Sequence, residues 1–426
     1  HNNTHTHYLR MTPDDVDKLS PNQAEQVAAD LAAHIQNLLH TDTPQQQIHT
    51  ITADDATKLL EKTTLAKALV RSRHNPPSLI DAAAPLHDLT FDLTDPATSL
   101  LQSAIVELCL EFWHLEKPGR DELVPQTISF LLVAALHEGA TPDDVKRLCA
   151  MRGALSILDY SDDSIAPLKR LLLHSAIKPL LLRSADGRRF LIHLFSLHPP
   201  LIAELHLAIK GQLPECSRSM RERYGEVYFK AWRSATGPYL DRLEEACLQD
   251  LMFHAVHASS TKMLTVLRQV LSFVHTQKRQ RGVDEMLQRL YGPFLWRSLS
   301  AANPNVRRNA ATIFIDAFPM QDPGLPLVEL DALLQRQFDA LGALLKDAAV
   351  SVRIVGVHGV FRVLALYWEL IPPPTAAALL ATLTQQLAYD ASASTVRAAV
   401  VEGLKFLVAQ ATSESCIAAL RGGAKS

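Results

Sequence analysis

Asn303-Pro304-Asn305-Val306-Arg307, Asp347-Ala348-Ala349-Val350-Ser351-Val352-Arg353 and the stretch from Asp390 to Val396-Arg397 share one layout: an Asn or Asp turn, then a helix that opens on a Val-Arg pair. The three arginines follow one another at 46 and 44 residues. An amphipathic helix precedes each turn, over Met286–Leu299, Leu330–Leu345 and Thr375–Leu387. In the first unit Val306, Ala310, Ile313, Phe314 and Ala317 fall on one stripe at about 100° per residue, the period of an α-helix. One helical hairpin cannot bury such a stripe alone, whereas hairpins stacked on each other bury it continuously. The pattern predicts an all-α chain, an α-solenoid superhelix of stacked helix pairs, clearest over 283–319, 327–367 and 373–410.

Helix, short turn, helix at this period resembles the HEAT type of repeat. Upstream, Met220–Ser234 and Leu240–Ala258 keep the helix lengths without the Val-Arg mark. Ser20-Pro21 opens an amphipathic stretch to Leu39, with Pro at a first-turn position where its missing N–H costs nothing. The segment from His74 to Pro96 holds Pro76, Pro77, Pro85 and Pro96 and reads as a loop-rich connector. The expected organisation is therefore irregular helices with a Pro-rich connector over 1–96, and a repeat array over 97–426.

Hydrophobic residues make up 47% of the 426, enough for a continuous core and against disorder, and only 16 glycines favour helix over sheet. The formal charge of −3 gives the whole molecule no pull toward nucleic acid, so any DNA contact requires a local basic patch. Cys109, Cys149, Cys216, Cys247 and Cys416 lie far apart, and their odd number suits free thiols in a reducing compartment. The start, His1-Asn2-Asn3-Thr4-His5, lacks an apolar leader and an initiator Met, which reads as a trimmed or processed product. The most apolar stretch, Val350–Leu366, is broken by Arg353, His358 and Arg362, so no span reaches the roughly 18 apolar residues of a membrane helix. A soluble, intracellular protein without membrane association is expected.

The phosphate-cradling GxxxxGK[ST] pattern is absent, as are GxGxxG, GxSxG and HExxH, which argues against nucleotide hydrolysis and implies no cofactor. Asp250, His254 and His257 fall at i, i+4 and i+7, a spacing that suits a metal site of an α-helical enzyme. The same positions border Leu243, Cys247 and Leu251, where a His–Asp hydrogen bond at a helix seam is the plainer use, so no metal is assigned. His1, His5 and His7 read as a polar chain end. The densest basic run, Lys278-Arg279-Gln280-Arg281, follows the helix Thr261–Thr276 and is the leading candidate for phosphate contacts. A solvated helix C-terminus is its alternative use. Arg308 lies roughly 200° from Val306 and points away from the buried stripe. With the pair Arg188 and Arg189 it completes the candidate DNA-binding set. Arg307, Arg353 and Arg397 recur at one place in each repeat and are expected to bond the preceding turn as a structural ladder. Trp113, Trp232, Trp296 and Trp368 are expected to pack in the core.

The run Leu295-Trp296-Arg297-Ser298-Leu299, then Asn303-Pro304-Asn305-Val306-Arg307-Arg308-Asn309-Ala310-Ala311, ending Ala317-Phe318-Pro319 and Gln321-Asp322-Pro323, resembles the G-type HEAT subunit of condensin II. Gly187-Arg188-Arg189-Phe190-Leu191, Tyr228-Phe229-Lys230-Ala231-Trp232, Gln249-Asp250-Leu251-Met252-Phe253-His254, Gly282-Val283-Asp284-Glu285-Met286-Leu287 and Tyr367-Trp368-Glu369-Leu370-Ile371-Pro372-Pro373 resemble the same family. The similarity runs from about Gly187 to Gln410. It implies a non-SMC, non-enzymatic scaffold of a chromosome-compacting complex, in the nucleus and on chromosomes. Family members bind the kleisin subunit, and the related condensin I subunit grips double-stranded DNA together with it. The SMC pair, reached through the kleisin, supplies the ATPase. Family chains are more than twice this length, so the resemblance implies an N-terminal part. The repeats alone also admit a scaffold of another pathway, such as a nuclear transport receptor or a phosphatase scaffold.

Overall fold

A computed structural model of the chain describes residues 13–39, 51–93 and 95–410. Among these residues every regular element is helical, so the protein is all-α. His1, His5, His7 and Cys416 lie outside the described residues. The chain divides into two compact units, His1–His198 and Pro199–Ser426.

In the first unit the helices are α1 (Pro21–Leu39), α2 (Ala53–Arg71), α3 (Leu79–Leu89), α4 (Ser99–His114), α5 (Pro125–Leu136), α6 (Pro142–Ala150), α7 (Ala166–Ile177), α8 (Pro179–Arg183) and α9 (Ala185–Leu194). Helix α1 packs on α3 and α2 on α4, around a core that includes Leu31, Ile35, Leu59, Leu69, Leu86 and Phe112. Among the described residues before 97, α1, α2 and α3 are regular helices packed on this core. The Pro-rich segment carries α3, with Pro85 inside the helix. A Pro there costs ~3 kcal/mol through the lost hydrogen bond and ring clash. Burial of Leu79, Leu86 and Leu89, at ~1.5–3 kcal/mol for each side chain, outweighs that cost. Arg71 and Lys67 of α2 reach Glu111 and Glu107 of α4, each 40 residues on.

The second unit is an α-solenoid of stacked pairs. Its helices are α10 (Pro199–Gln212), α11 (Arg218–Ser234), α12 (Pro238–Leu243), α13 (Asp250–Val256), α14 (Thr261–Thr276), α15 (Val283–Tyr291), α16 (Leu295–Leu299), α17 (Pro304–Ala317), α18 (Leu327–Leu345), α19 (Val350–Leu366), α20 (Pro373–Ala381) and α21 (Ser394–Gln410). A wide turn, Glu244–Gln249, joins α12 to α13 without a break. The helix read as Met286–Leu299 is interrupted at Gly292-Pro293, giving α15 and α16, because Pro293 has no N–H to continue the ladder. The one read as Thr375–Leu387 starts earlier and leaves α-geometry after Ala381.

Helices α11, α14, α17, α19 and α21 stack in that order as one layer. Their stripes interlock as expected: Ala310, Ile313, Phe314 and Ala317 of α17 are buried, while Val306 at its mouth is half-buried. Close approach is enforced by glycine. A Cβ on Gly225 of α11 would stand 2.2 Å from the Val270 carbonyl oxygen of α14, and one on Gly403 of α21 would stand 2.0 Å from the Phe361 ring of α19. Helix α17 starts on an Asn303 cap, whose Oδ1 accepts from the Asn305 N–H at 2.9 Å, with Pro304 at the first position. Of the tryptophans, Trp232 is buried. Trp113 and Trp296 are half-buried beneath guanidinium groups, with Arg120 4.6 Å and Arg336 4.5 Å from their ring centroids, and Trp368 is half-buried. Cys109, Cys149, Cys216 and Cys247 are free and buried. No helix among the described residues is long and apolar enough to cross a membrane.

Candidate nucleic-acid interface

The repeated arginines sit at the mouths of the stacked helices, where helix N-termini leave neighbouring carbonyls and turn carboxylates in reach. Arg307 Nη1 donates to the carbonyls of Ala301 and Ala302 at 2.8 and 3.0 Å, while Nε and Nη2 donate to Oδ2 and Oδ1 of Asp347 at 2.8 and 2.9 Å. Arg353 repeats the arrangement one unit later. Its Nη1 donates to the carbonyls of Asp347 and Ala348, its Nη2 donates to Ser392 Oγ at 2.6 Å, and its Nε lies 3.2 Å from Asp390 Oδ2. Arg397 Nη1 donates to the Asp390 carbonyl at 2.6 Å. Each of Arg307 and Arg353 therefore clamps its own turn and reaches forward to the aspartate of the next. The hydrogen bonds from Arg307 hold the Asp347 carboxyl below the usual carboxylate range, against the opposing effect of burial.

Arg188 adopts the same clamp in the first unit. Its Nη1 donates to the carbonyls of Leu182, Arg183 and Ser184 at 3.2, 3.0 and 3.2 Å. These Nη1 donors close the end of α8. Arg189 beside it is exposed and ion-paired with Asp186 at 2.8 Å.

The basic run after α14 splits. Lys278 turns inward and its Nζ donates to the carbonyls of Ala317 and, at 3.1 Å, Pro319. Desolvation lowers its pKa to about 7. Its contacts with these carbonyls set Lys278 apart from the exposed Arg279 and Arg281 of the same run. Arg279 and Arg281 are exposed, and among the described residues neither guanidinium forms an ion pair. Arg308 is half-buried, with Nε and Nη2 donating to Asn309 Oδ1 at 3.3 and 3.1 Å. Asn309 is itself buried and donates to the Ala258 carbonyl at 3.0 Å.

Lys278 and Arg279 line a groove of about 870 Å³ that the sequence did not reveal, together with Arg218, Arg268, Arg362, Asp284 and Asp316. At its floor Asp316 accepts from Arg268 Nε and Nη2 at 2.7 and 3.0 Å and from Arg362 Nη1 at 3.0 Å. Burial opposes ionisation of Asp316, but Arg268, with help from His275 and Arg362, holds its carboxyl below the ordinary value. Arg218 is paired with Glu222 at 2.8 Å. One signal was available in the sequence: these partners are separated by about one repeat, 48 residues for Arg268 and Asp316 and 46 for Asp316 and Arg362.

The carboxylate of Asp250 is committed elsewhere than to a metal. Its Oδ2 accepts from His206 Nε2 at 2.9 Å and from Lys210 Nζ at 2.6 Å, and His206 Nδ1 meets the buried Tyr228 hydroxyl at 2.9 Å. Burial alone would raise this carboxyl, yet the two hydrogen bonds hold it at about 2. His254 contacts it at 3.2 Å, whereas His257 bonds the Phe253 carbonyl and stacks on the Phe253 ring at 4.2 Å. Among the described residues no group of three His, Cys, Asp or Glu side chains is placed to hold a metal ion. The His–Asp hydrogen bond at a helix seam is made across helices, by His206 of α10 on Asp250 of α13.

The family described as the condensin II non structural maintenance of chromosomes subunit matches residues 174–322. The chain is 36% identical over 343 residues to the human condensin-2 complex subunit G2, covering 80% of this chain and 30% of that one. Its identity to the mouse protein of the same name is 35% over 342 residues, again 80% and 30%. With the zebrafish (Danio rerio) protein it is 34% over 364 residues, 85% and 32%. The chain thus spans about 30% of the length of the mouse and human relatives. A solved Pds5-Scc1 complex superposes over 96% of this chain and 59% of that one at a TM-score of 0.33 with 13% identity, too loose a likeness to carry an argument. With relatives about 35% identical over 80% of its length, and with the family model matching 174–322, this chain belongs to the G2-type, non-SMC subunit family of condensin II.

Proposed function

We propose that this chain is a non-enzymatic scaffold segment of a condensin II complex. It binds the kleisin subunit and, with it, contributes to holding double-stranded DNA during mitotic chromosome condensation. The SMC ATPase pair is engaged indirectly, through the kleisin, and the place of action is the chromosome in the nucleus. Family membership, with relatives about 35% identical over 80% of the chain, carries this reading. The stacked pairs support it physically, because they spend their apolar stripes on one another and leave polar surface for macromolecular partners. For DNA, the supporting cations are Arg279 and Arg281, which are exposed and form no ion pair among the described residues, with Arg189 and Arg308 as lesser candidates.

Co-purification with the central segment of a condensin II kleisin tests the proposal. A stable stoichiometric complex is expected. Absence of any complex, also with a chain extended to the length of its relatives, retires the kleisin assignment.

A further inference from the structure

The groove floored by Asp316 crosses the layer of α11, α14, α17 and α19, and each helix contributes a charged side chain to it: Arg218, Arg268, Asp316 and Arg362. From α11 to α19 there are three interhelix steps, about 24–30 Å at the usual spacing of packed helices, or roughly seven to nine residues of extended chain. Four guanidinium groups and Lys278 line the groove against the carboxylates of Glu222, Asp284 and Asp316, so cations are in excess. That excess is accessible. Arg218, Arg279 and Arg362 are exposed. Arg362 spends only Nη1, on Asp316, and Arg279 forms no ion pair among the described residues.

The mixture of signs decides between two kinds of anionic partner. The backbone of a DNA duplex presents phosphate oxygens, which accept hydrogen bonds and donate none, and its charge is repelled by all three carboxylates. Asp284 already keeps Oδ1 buried without a hydrogen-bond donor among the described residues, so further acceptors gain nothing there. A peptide brings backbone N–H donors together with its acidic side chains. In an extended chain every second side chain lies on one face, where carboxylates meet the forked N–H pairs of arginines. We propose that this groove is a docking site for an extended acidic segment of a protein partner, read by Arg218, Arg279 and Arg362. The proposal stands apart from the kleisin and DNA assignments, and the loss of either leaves it in place.

Fluorescence anisotropy of the intact folded chain provides the test, at about 50 mM salt where surface charges are weakly screened. The probe is a fluorescein-labelled decapeptide of alternating Asp and Ala, and the control is the same peptide with Asn in place of Asp. The acidic peptide is expected to bind at least ~10-fold more tightly than the neutral one. Arg218→Gln and Arg362→Gln should each weaken it ~3-fold, and together ~10-fold. Arg281→Gln, at an exposed position that does not line the groove, should leave the peptide affinity unchanged. Arg218 is paired with Glu222 on its own helix, so its variant reads the groove even where Arg362→Gln perturbs Asp316. Equal affinity for the two peptides, or a loss on Arg281→Gln matching that on Arg362→Gln, would overturn the proposal. So would a duplex of about 20 base pairs that loses as much affinity as the peptide in the double variant, since that assigns the groove to DNA.

Discussion

Arg307 and Asp347, 40 residues apart, meet in a two-point guanidinium–carboxylate pair at 2.8 and 2.9 Å that ties one repeat to the next. The same aspartate closes the turn before α19, its Oδ1 accepting from the Ala349 N–H at 2.7 Å, and its carbonyl receives Arg353. One residue thus fixes the register of two successive helix pairs.

Because the pair is two-pronged, Arg307→Lys should lower the urea midpoint nearly as much as Arg307→Ala, since an ammonium cannot reproduce the fork. Asp347→Ala should cost more than either, as it also removes the side-chain hydrogen bond that closes the turn before α19. Equal midpoints for Arg307→Lys and the parent chain would show that the fork contributes nothing.

Asp316 stands between Arg268 and Arg362 at the groove floor. Asp316→Ala leaves both guanidinium groups without their carboxylate and should destabilise by ~2–4 kcal/mol, tempered by the partial exposure of the arginines. The double variant Asp316→Ala, Arg268→Met should recover part of that loss, measured by equilibrium unfolding. A double variant less stable than the single one would contradict this account.

His275 is buried, its Nε2 2.9 Å from the Tyr291 hydroxyl, and desolvation lowers its pKa to about 4. The neutral ring is the folded form, whereas the unfolded chain takes up a proton near pH 6.5. Between those values the unfolded state binds more protons, so stability rises with pH, being lost as pH falls from about 6.5 to about 4. The contribution is roughly 3 kcal/mol. His275→Gln should flatten the unfolding midpoint between pH 4.5 and 6.5; an unchanged slope would place the acid sensitivity elsewhere.

Lys278 and its neighbours should separate in DNA binding. Arg279→Glu with Arg281→Glu should weaken duplex affinity and flatten the dependence of log K on log salt by about 2, whereas Lys278→Met should leave that slope within ~0.3. Lys278→Met should also keep the stability at pH 7 within ~1 kcal/mol, since it exchanges a desolvated cation for an apolar side chain. Salt titrations of duplex binding decide between them, and a slope altered by Lys278→Met would restore that lysine to the interface.

Two glycines make opposite forecasts. Gly225→Ala forces a methyl group to 2.2 Å from the Val270 oxygen and should destabilise by at least ~1–3 kcal/mol. Gly342 in α18 has open space where a methyl group would stand, with no neighbouring atom within 4 Å, and Gly342→Ala should stabilise by ~0.5–1 kcal/mol through helix propensity. Thermal unfolding of the two variants side by side provides the measurement.

Read alone, the sequence determined that the chain is helical, that its last third repeats every 44 to 46 residues, and that a Val-Arg pair opens the second helix of each clear repeat. These features follow from local rules: apolar periodicity, Asn and Asp caps, and Pro at first turns, all of which act within one helix. Stacking alone decided which cations are free. Lys278 and Arg279 are neighbours in the chain, yet one is turned onto the carbonyls of Ala317 and Pro319 and the other is left in solvent. Arg188 and Arg189 divide in the same way, and Asp250 bonds His206 from the preceding repeat more than His254 from its own helix. Helical period assigns a side chain to a face, but the partner waiting there comes from 40 to 48 residues away, and only the packing of one hairpin on the next brings the two together.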